Sequence, residues 1–357
     1  MKALVLVGGL GTRLRPLTSS MPKQMLPVAE VAMIERVLAH LAAHGIDTVT
    51  LSMGYQPDAF LAAFPDDRCA GVALSYAVEP VALDTAGAIR FAASHAEVTG
   101  SFLVVNGDVL TDADVTALIA FHRRSGGLGT ISLTPVPDPS PFGVVPVDET
   151  GRVQAFIEKP SAGEAPTNLI NAGIYVLEPA VLDRIPEGRR VNVETEVFPA
   201  LTAEGALYGL ASDAYWTDTG TPALYLQANL DLLSGARSTV PAPGARPAVD
   251  DGWVLGGPVV QAPLTAGSLV GDAAFVGRGS SVVRSVVGAG CRVERASVAD
   301  SVLLPGAVLR AGASVERSIV GPGAVVGEHA EVSGLSVVAA GAKVEPGARL
   351  DGARVPA

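Results

Sequence analysis

The sequence predicts an α/β protein in two parts, a mixed, mostly parallel sheet flanked by helices and then a parallel β-helix. Three observations predict it. Short Val- and Leu-rich runs alternate with segments of helical spacing over the first part of the chain. A glycine-rich turn follows the first of those runs directly. From Val270 to Leu350, aliphatic residues recur every five or six positions.

The runs are "ALVLV" from Ala3, "TVTLS" from Thr48, "VALSYAV" from Val72 and "SFLVVN" from Ser101. Between the first two, "MIERVLAHLAAH" puts Ile34, Val37, Leu38 and Leu41 on one stripe of a helix. Such alternation implies parallel strands joined by right-handed crossovers. Ligands of these sheets gather at the carboxyl ends of the strands. That edge is expected to hold both the "GGLGTR" turn and the "NGD" of Asn106 to Asp108. From about residue 128 the pattern changes to strands without regular helices: "GTISLTPV", "FGVVPVD", "VQAFIEKP" and "INAGIYVLE".

A Pro-, Ala- and Gly-rich stretch, "ARSTVPAPGARPAVDDG", reads as a linker. The expected organisation is a first domain over 1–236, a linker over 237–250 and a repeat domain over 251–357. In the last, Val270, Val276, Val282, Val287, Val293 and Val298 begin a series that runs to Leu350, and Gly271, Gly277, Gly288, Gly321 and Gly327 follow it directly. No helical period gives that spacing. It is the hexapeptide signature of a β-helix, with roughly four to five coils in that run.

Composition narrows the function. An apolar content of 48% with 17% charged residues describes a globular chain, and a net charge of −11 argues against nucleic acid as a partner. Bound phosphates must then be held by a few local cations. Lys2, Lys23, Lys159 and Lys343 are the only lysines, so Lys23, close to the glycine-rich turn, stands out. Cys69 and Cys291 fit neither a disulfide nor a zinc spacing and read as buried thiols. No signal or membrane-spanning segment is evident, and the expectation is a cytoplasmic protein without a membrane partner.

The turn invites a phosphate, because backbone N–H groups approach an anion where no Cβ intervenes. A dinucleotide fingerprint would need a third glycine where Leu14 stands, and a P-loop would need Gly-Lys-Ser/Thr where the chain has Gly-Thr-Arg. A ligand-free turn would leave Arg13 and Lys23, held by the prolines of "RPLT" and "MPKQ", without a purpose.

Taken in order, "GGLGTRLRPLT", "PKQMLPV", "NGD", "FGVV", "IEKP", "NAGIYV", "VETEVFPAL" and "YWTDTGTP" resemble the sugar-1-phosphate nucleotidyltransferase family, and within it most of all the mannose-1-phosphate guanylyltransferases. The resemblance covers residues 1 to about 235, and a hexapeptide tail also occurs in that family. It implies a Rossmann-like nucleotidyltransferase domain followed by a left-handed parallel β-helix. The implied reaction joins a nucleoside triphosphate to a sugar 1-phosphate with loss of pyrophosphate.

Charge neutralisation and positioning supply most of the catalysis in such a reaction. By resemblance, Gly8, Gly9, Gly11, Thr12 and Arg13 lie on the triphosphate with Lys23. Glu79, Thr85, Gly87, Asn106 and Asp108 complete the nucleotide site. Asp108 and Asp218 are the implied ligands of Mg2+. Lys159 is the cation for the incoming phosphate, with Gly143, Glu158, Asn171 and Glu194 around the sugar.

Glu79 stands where thymidylyltransferases of this family use an amide. Its carboxylate can accept two parallel hydrogen bonds from guanine, which favours GTP. Three departures from the guanylyltransferase pattern fit a specialised paralogue: Asp84 in place of a glycine, "PKQ", and "VAEVAM" without Lys-Pro. Glucose 1-phosphate or a cyclitol 1-phosphate therefore stay open as acceptors, and dTTP, UTP or ATP as donors. A non-catalytic regulatory homologue is the reading from another class. An acyltransferase tail would rest on His329 alone. The tail is otherwise expected to assemble a homo-oligomer, a dimer or tetramer.

Overall fold

The structure, a computed structural model, describes residues 1–54, 57–161, 163–237, 240–248 and 250–356. Two compact units make up the chain, and they do not follow chain order. Met1–Gly9 with Ile34–Trp216 form the first, and Leu10–Met33 with Thr217–Ala357 form the second.

The first unit is built on a ten-stranded mixed sheet. Its middle is parallel: Ala3–Leu6 pairs with Thr48–Met53 on one side and Phe102–Asn106 on the other, and Val72–Val78 pairs beyond Thr48–Met53. The expected parallel core is therefore present. Leu169–Leu177 then runs antiparallel to Phe102–Asn106 and to Gly129–Pro135, with a register shift between Asn171 and Tyr175. Gly143–Val144 and Ile157–Glu158 extend this side. Only Ile157 and Glu158 of "VQAFIEKP" join the sheet as a strand.

Strand runs buried on both faces read as continuous Val and Leu, and that is how Val104, Leu103, Val176 and Leu177 are placed, with no exposed area. The predicted stripe of Ile34, Val37, Leu38 and Leu41 is buried along the Met33–Ala43 helix. A second helix, Asp84–His95, lays Ala86, Ile89, Ala92 and Ala93 into the core beside Leu4, Tyr175 and Phe198. Small residues on that face let helix and sheet approach closely. Among the described residues no helix is long and apolar enough to cross a membrane.

In the second unit, parallel strands stack into three sheets, two of six strands and one of eight whose first strand is antiparallel. Val270, Val287, Leu303, Val320 and Val338 follow one another in register on one face. All five are fully buried in the central column, with Val276, Val293 and Leu309 from a second face and Val282, Val298 and Val315 from the third. The hexapeptide spacing thus marks the inward positions. Over the Val270–Leu350 run each face carries five strands, within the four to five coils expected for it, and the remaining strands lie before and after that run. The first coil, with Gly252–Val254, Val259–Val260 and Leu264–Thr265, lacks the regular repeat yet sends Leu264 into the same column.

A polar ladder climbs inside one corner. The buried hydroxyl of Ser268 accepts the Ser285 N–H, Ser285 accepts that of Ser301, and Ser301 that of Ser318, at 3.2, 3.1 and 3.1 Å. Each of these serines also donates to a carbonyl of its own coil. In Ser268, Ser285 and Ser301 donor and acceptor capacity are both used, as burial requires. Cys291 lies in the column, where burial raises its thiol to about 12, whereas Cys69 is only partly buried.

Candidate active site

In the first unit, the carboxyl edge of the parallel strands carries Gly8, Glu79, Asn106 and Asp108, as the strand order requires. A Cβ on Gly8 would stand 3.1 Å from the Gly54 nitrogen and 3.7 Å from Glu79 Oε1, so the turn closes tightly over this edge. Glu79 is buried, with 8% of its surface exposed. Its Oε2 accepts the Leu83 N–H at 3.0 Å, and its Oε1 takes a long bond from the Ser52 hydroxyl at 3.5 Å. Desolvation pushes the carboxyl above its ordinary range, and the two donors offset part of that rise. Gly9 is exposed and Asp108 partly buried on the same edge.

Asn171, expected around the sugar, lies at the register shift. Gly173 adopts φ +78°, and a Cβ there would fall 2.8 Å from Asn106 Nδ2, so only glycine lets Asn106 lie across the bulge. Asn171 Oδ1 accepts the Gly173 N–H at 2.9 Å, and its Nδ2 donates to the Tyr175 oxygen at 2.9 Å. Tyr175 has no exposed surface, and burial raises its phenol far above the usual value. Asn106 and Asn171 both hydrogen-bond this phenol, and the charges of Glu194 and Glu158 bear on it. Sequence reasoning passed over Tyr175 although "NAGIYV" contains it, because an inward residue of a central strand reads as core.

Glu194 accepts from the Thr85 hydroxyl at 2.9 Å, and the same hydroxyl accepts the Val193 N–H at 2.8 Å. Desolvation raises the Glu194 carboxyl, and the negative charges of Glu158 and Asp84 add to the effect. Thr85, expected on the nucleotide, is thus joined to Glu194, expected around the sugar. Gly87 lies against the same segment: its N–H points to Val191 O at 3.2 Å, and a Cβ there would come within 2.7 Å of Arg189 O. Asp84, with φ +62°, accepts from Asn192 Nδ2 at 3.2 Å and lies 3.8 Å from the Arg190 guanidinium. A non-glycine residue in the left-handed region persists where such contacts hold it.

Gly143 pairs with Glu158, and its missing Cβ leaves room for the Phe156 ring and for Glu158 Oε2. Lys159 Nζ lies 2.8 Å from Glu158 Oε1, with two thirds of the lysine side chain exposed. Trp216 donates to Ala172 O at 3.0 Å and meets the Phe142 ring edge-on, forming an aromatic wall of this side.

The second unit carries Gly11, Thr12, Arg13, Lys23 and Asp218. Gly11 adopts φ +60°, and a Cβ there would stand 3.1 Å from Thr18 Cγ2 and 3.2 Å from Lys23 Cβ. Its carbonyl accepts the Thr18 hydroxyl and the Leu14 N–H. The turn is thereby folded onto the stem of Lys23, while Thr12 and Arg13 are exposed. The Arg13 guanidinium lies 3.8 Å from Asp218, whose Oδ1 accepts the Gly220 N–H at 2.7 Å. A Cβ on Gly220 would fall 2.7 Å from that guanidinium, so the glycine of "TDTG" makes the space Arg13 uses.

The family model described as nucleotidyl transferase matches residues 2–235, and the one described as GMPPB C-terminal domain matches 264–357. The chain belongs to the nucleotidyl transferase family. This nucleotidyl transferase is 43% identical over 300 residues to a mannose-1-phosphate guanylyltransferase of Mycobacterium tuberculosis, covering 83% of this chain and 82% of the relative. It is 39% identical over 243 residues to the mannose-1-phosphate guanylyltransferase catalytic subunit beta of Dictyostelium discoideum, covering 68% and 67%. Among solved structures, HddC from Yersinia pseudotuberculosis complexed with GMP-PN superposes with a TM-score of 0.56 at 27% identity, over 64% of this chain and 97% of that one. The chain is therefore an enzyme of sugar-1-phosphate nucleotidyl transfer, and the fold expected from its motifs is the one it has.

Proposed function

We propose that this nucleotidyl transferase moves GMP from GTP to mannose 1-phosphate, releasing pyrophosphate and forming GDP-mannose. The guanylyltransferase names of its relatives support the reading. The observation that carries it is Glu79, a buried carboxylate at the nucleotide edge of the sheet with lone pairs beyond those given to Leu83 and Ser52. Guanine offers two adjacent donors to such a group, whereas uracil and thymine offer one donor between two acceptors.

A phosphate oxygen of mannose 1-phosphate attacks the α-phosphorus in line, the bond to the bridging oxygen breaks, and pyrophosphate leaves with that electron pair. Arg13 and Lys23 neutralise the leaving pyrophosphate, while N–H groups of the glycine-rich turn hold its oxygens. Lys159 exchanges its contact with Glu158 for the incoming sugar phosphate, and Asn171, Glu158 and Glu194 orient the hydroxyls. Asp108 and Asp218 are the residues that would hold Mg2+, since each offers the hard carboxylate oxygens that this ion prefers. When bound, that ion supplies charge neutralisation at the α-phosphate.

The test is pyrophosphate release over a grid of GTP, dTTP, UTP, ATP and CTP against mannose, glucose and cyclitol 1-phosphates, with and without magnesium. GTP with mannose 1-phosphate is expected to give the highest kcat/KM. A different optimal pair would replace this assignment, and release from no pair would favour a non-catalytic homologue.

A further inference from the structure

In the second unit, the segment Leu10–Met33 is keyed to the β-helix. Pro27–Val28 and Val31–Ala32 form a small hairpin whose turn residues, Ala29 and Glu30, both have positive φ, +45° and +67°. The Ala29 N–H donates to Asn229 Oδ1 at 2.7 Å, and the Tyr225 hydroxyl donates to Pro27 O, so the Pro222–Leu233 helix grips one side of the turn. From the other side, the Glu30 side chain enters a corner of the β-helix. Its Oε2 accepts the Ala289 N–H at 2.8 Å.

Two glycines open that corner. A Cβ on Gly271 would stand 2.3 Å from Glu30 Oε2, and one on Gly288 would stand 3.0 Å from Oε1. Both belong to the hexapeptide series, where a glycine after the inward residue reads as turn chemistry alone. Here the absence of their Cβ atoms also admits the side chain of Glu30, whose bonding partner Ala289 lies 259 positions along the chain. Burial raises the Glu30 carboxyl above its ordinary range, and the Ala289 N–H offsets part of that rise.

We propose that Glu30 is a positioning residue: by docking in the Gly271–Gly288 corner and bonding Ala289, it lets the β-helix hold the Arg13- and Lys23-bearing segment in the shape that receives a triphosphate. The tail then serves the nucleotide site directly, in addition to any assembly. This inference rests on the assignment of Arg13 and Lys23 to the triphosphate. The departure from the family pattern at "VAEVAM" acquires a use, because Glu30 is the residue of that turn that reaches the β-helix.

Reach and acceptor capacity, rather than charge, define the key. Glu30→Gln keeps both, since an amide carbonyl accepts the Ala289 N–H. Glu30→Asp keeps the charge but is one methylene short, and Glu30→Ala keeps neither. The experiment uses the full chain and measures KM for the nucleotide and for the sugar phosphate, together with amide hydrogen exchange over residues 10–33. Glu30→Gln is expected to match the parent in all three. Glu30→Asp and Glu30→Ala are expected to raise nucleotide KM about tenfold, the order expected for leaving one buried hydrogen bond unmade. They should also speed exchange in 10–33 several-fold, with the sugar-phosphate KM and exchange in the first unit's sheet unchanged.

An aspartate that behaves like the parent while glutamine fails would overturn the proposal, since charge would then be the operative property. So would faster exchange spread evenly over the chain, which signals general destabilisation. Faster exchange in 10–33 with unchanged nucleotide KM would also overturn it. The exchange ordering is read without turnover, so failure of the enzymatic assignment in the substrate grid is recognised separately.

Discussion

Glu79→Gln separates base reading from structural support at the same side chain. In the parent, Oε2 accepts the Leu83 N–H at 3.0 Å and Oε1 lies 3.5 Å from the Ser52 hydroxyl. Glutamine can present its carbonyl to Leu83 and turn its amide toward the Ser52 oxygen, which accepts as readily as it donates. It also removes a charge that burial disfavours. Stability should therefore stay within about 1 kcal/mol of the parent. Guanine binding should not be spared, because an N–H donor now faces one of the guanine N–H donors. Loss of a charge-assisted pair in a closed site costs about 1.5–3 kcal/mol, or roughly ten- to a hundredfold in kcat/KM for GTP. An amide pairs with the thymine edge, so dTTP should lose less or gain. The assay is kcat/KM for GTP and dTTP with a saturating acceptor, with thermal unfolding alongside. An unchanged GTP to dTTP ratio in a folded protein would refute the assignment of Glu79 to the base.

Three further outcomes are expected. Asp108→Asn should abolish pyrophosphate release while leaving the unfolding temperature within a few degrees of the parent; turnover within about threefold would remove Asp108 from the metal and phosphate chemistry. Asp84→Ala should destabilise by about 1–2 kcal/mol in denaturant unfolding, because alanine keeps the strain at φ +62° and loses the bonds to Asn192 and Arg190, whereas Asp84→Gly should recover about 1 kcal/mol of that; equal losses would show that strain plays no part. Glu194 has its carboxyl raised from the ordinary 4.5 by desolvation, so the folded chain retains a proton that the unfolded chain has released, and this group's contribution falls as pH rises from about 4.5 through the folded value. Glu194→Gln should accordingly gain stability relative to the parent across that window, and a difference in unfolding free energy that does not change with pH would contradict the shift.

Much of this molecule is legible in one dimension. The inward positions of the β-helix follow from a five- or six-residue spacing, because each coil repeats the same local requirement for one aliphatic side chain per short strand. The parallel core of the first unit follows from alternating apolar runs and a helical stripe, and the edge that carries Asn106 and Asp108 follows from strand order. These features depend on residues close together in sequence, or on rules that apply to every sheet of this kind.

What the tertiary structure decided are the relations between distant segments. The phenol of Tyr175 gathers Asn106 and Asn171, the Thr85 hydroxyl joins Glu194, and Glu30 fits a corner cleared by Gly271 and Gly288. Ser268, Ser285, Ser301 and Ser318 form a ladder although each alone reads as an ordinary surface serine. Each relation is a hydrogen bond or a missing Cβ between residues from 4 to 259 positions apart. Periodicity and turn chemistry are set by a residue's neighbours along the chain, whereas the partner of a buried polar group is set by whichever segment folding brings within about 3 Å.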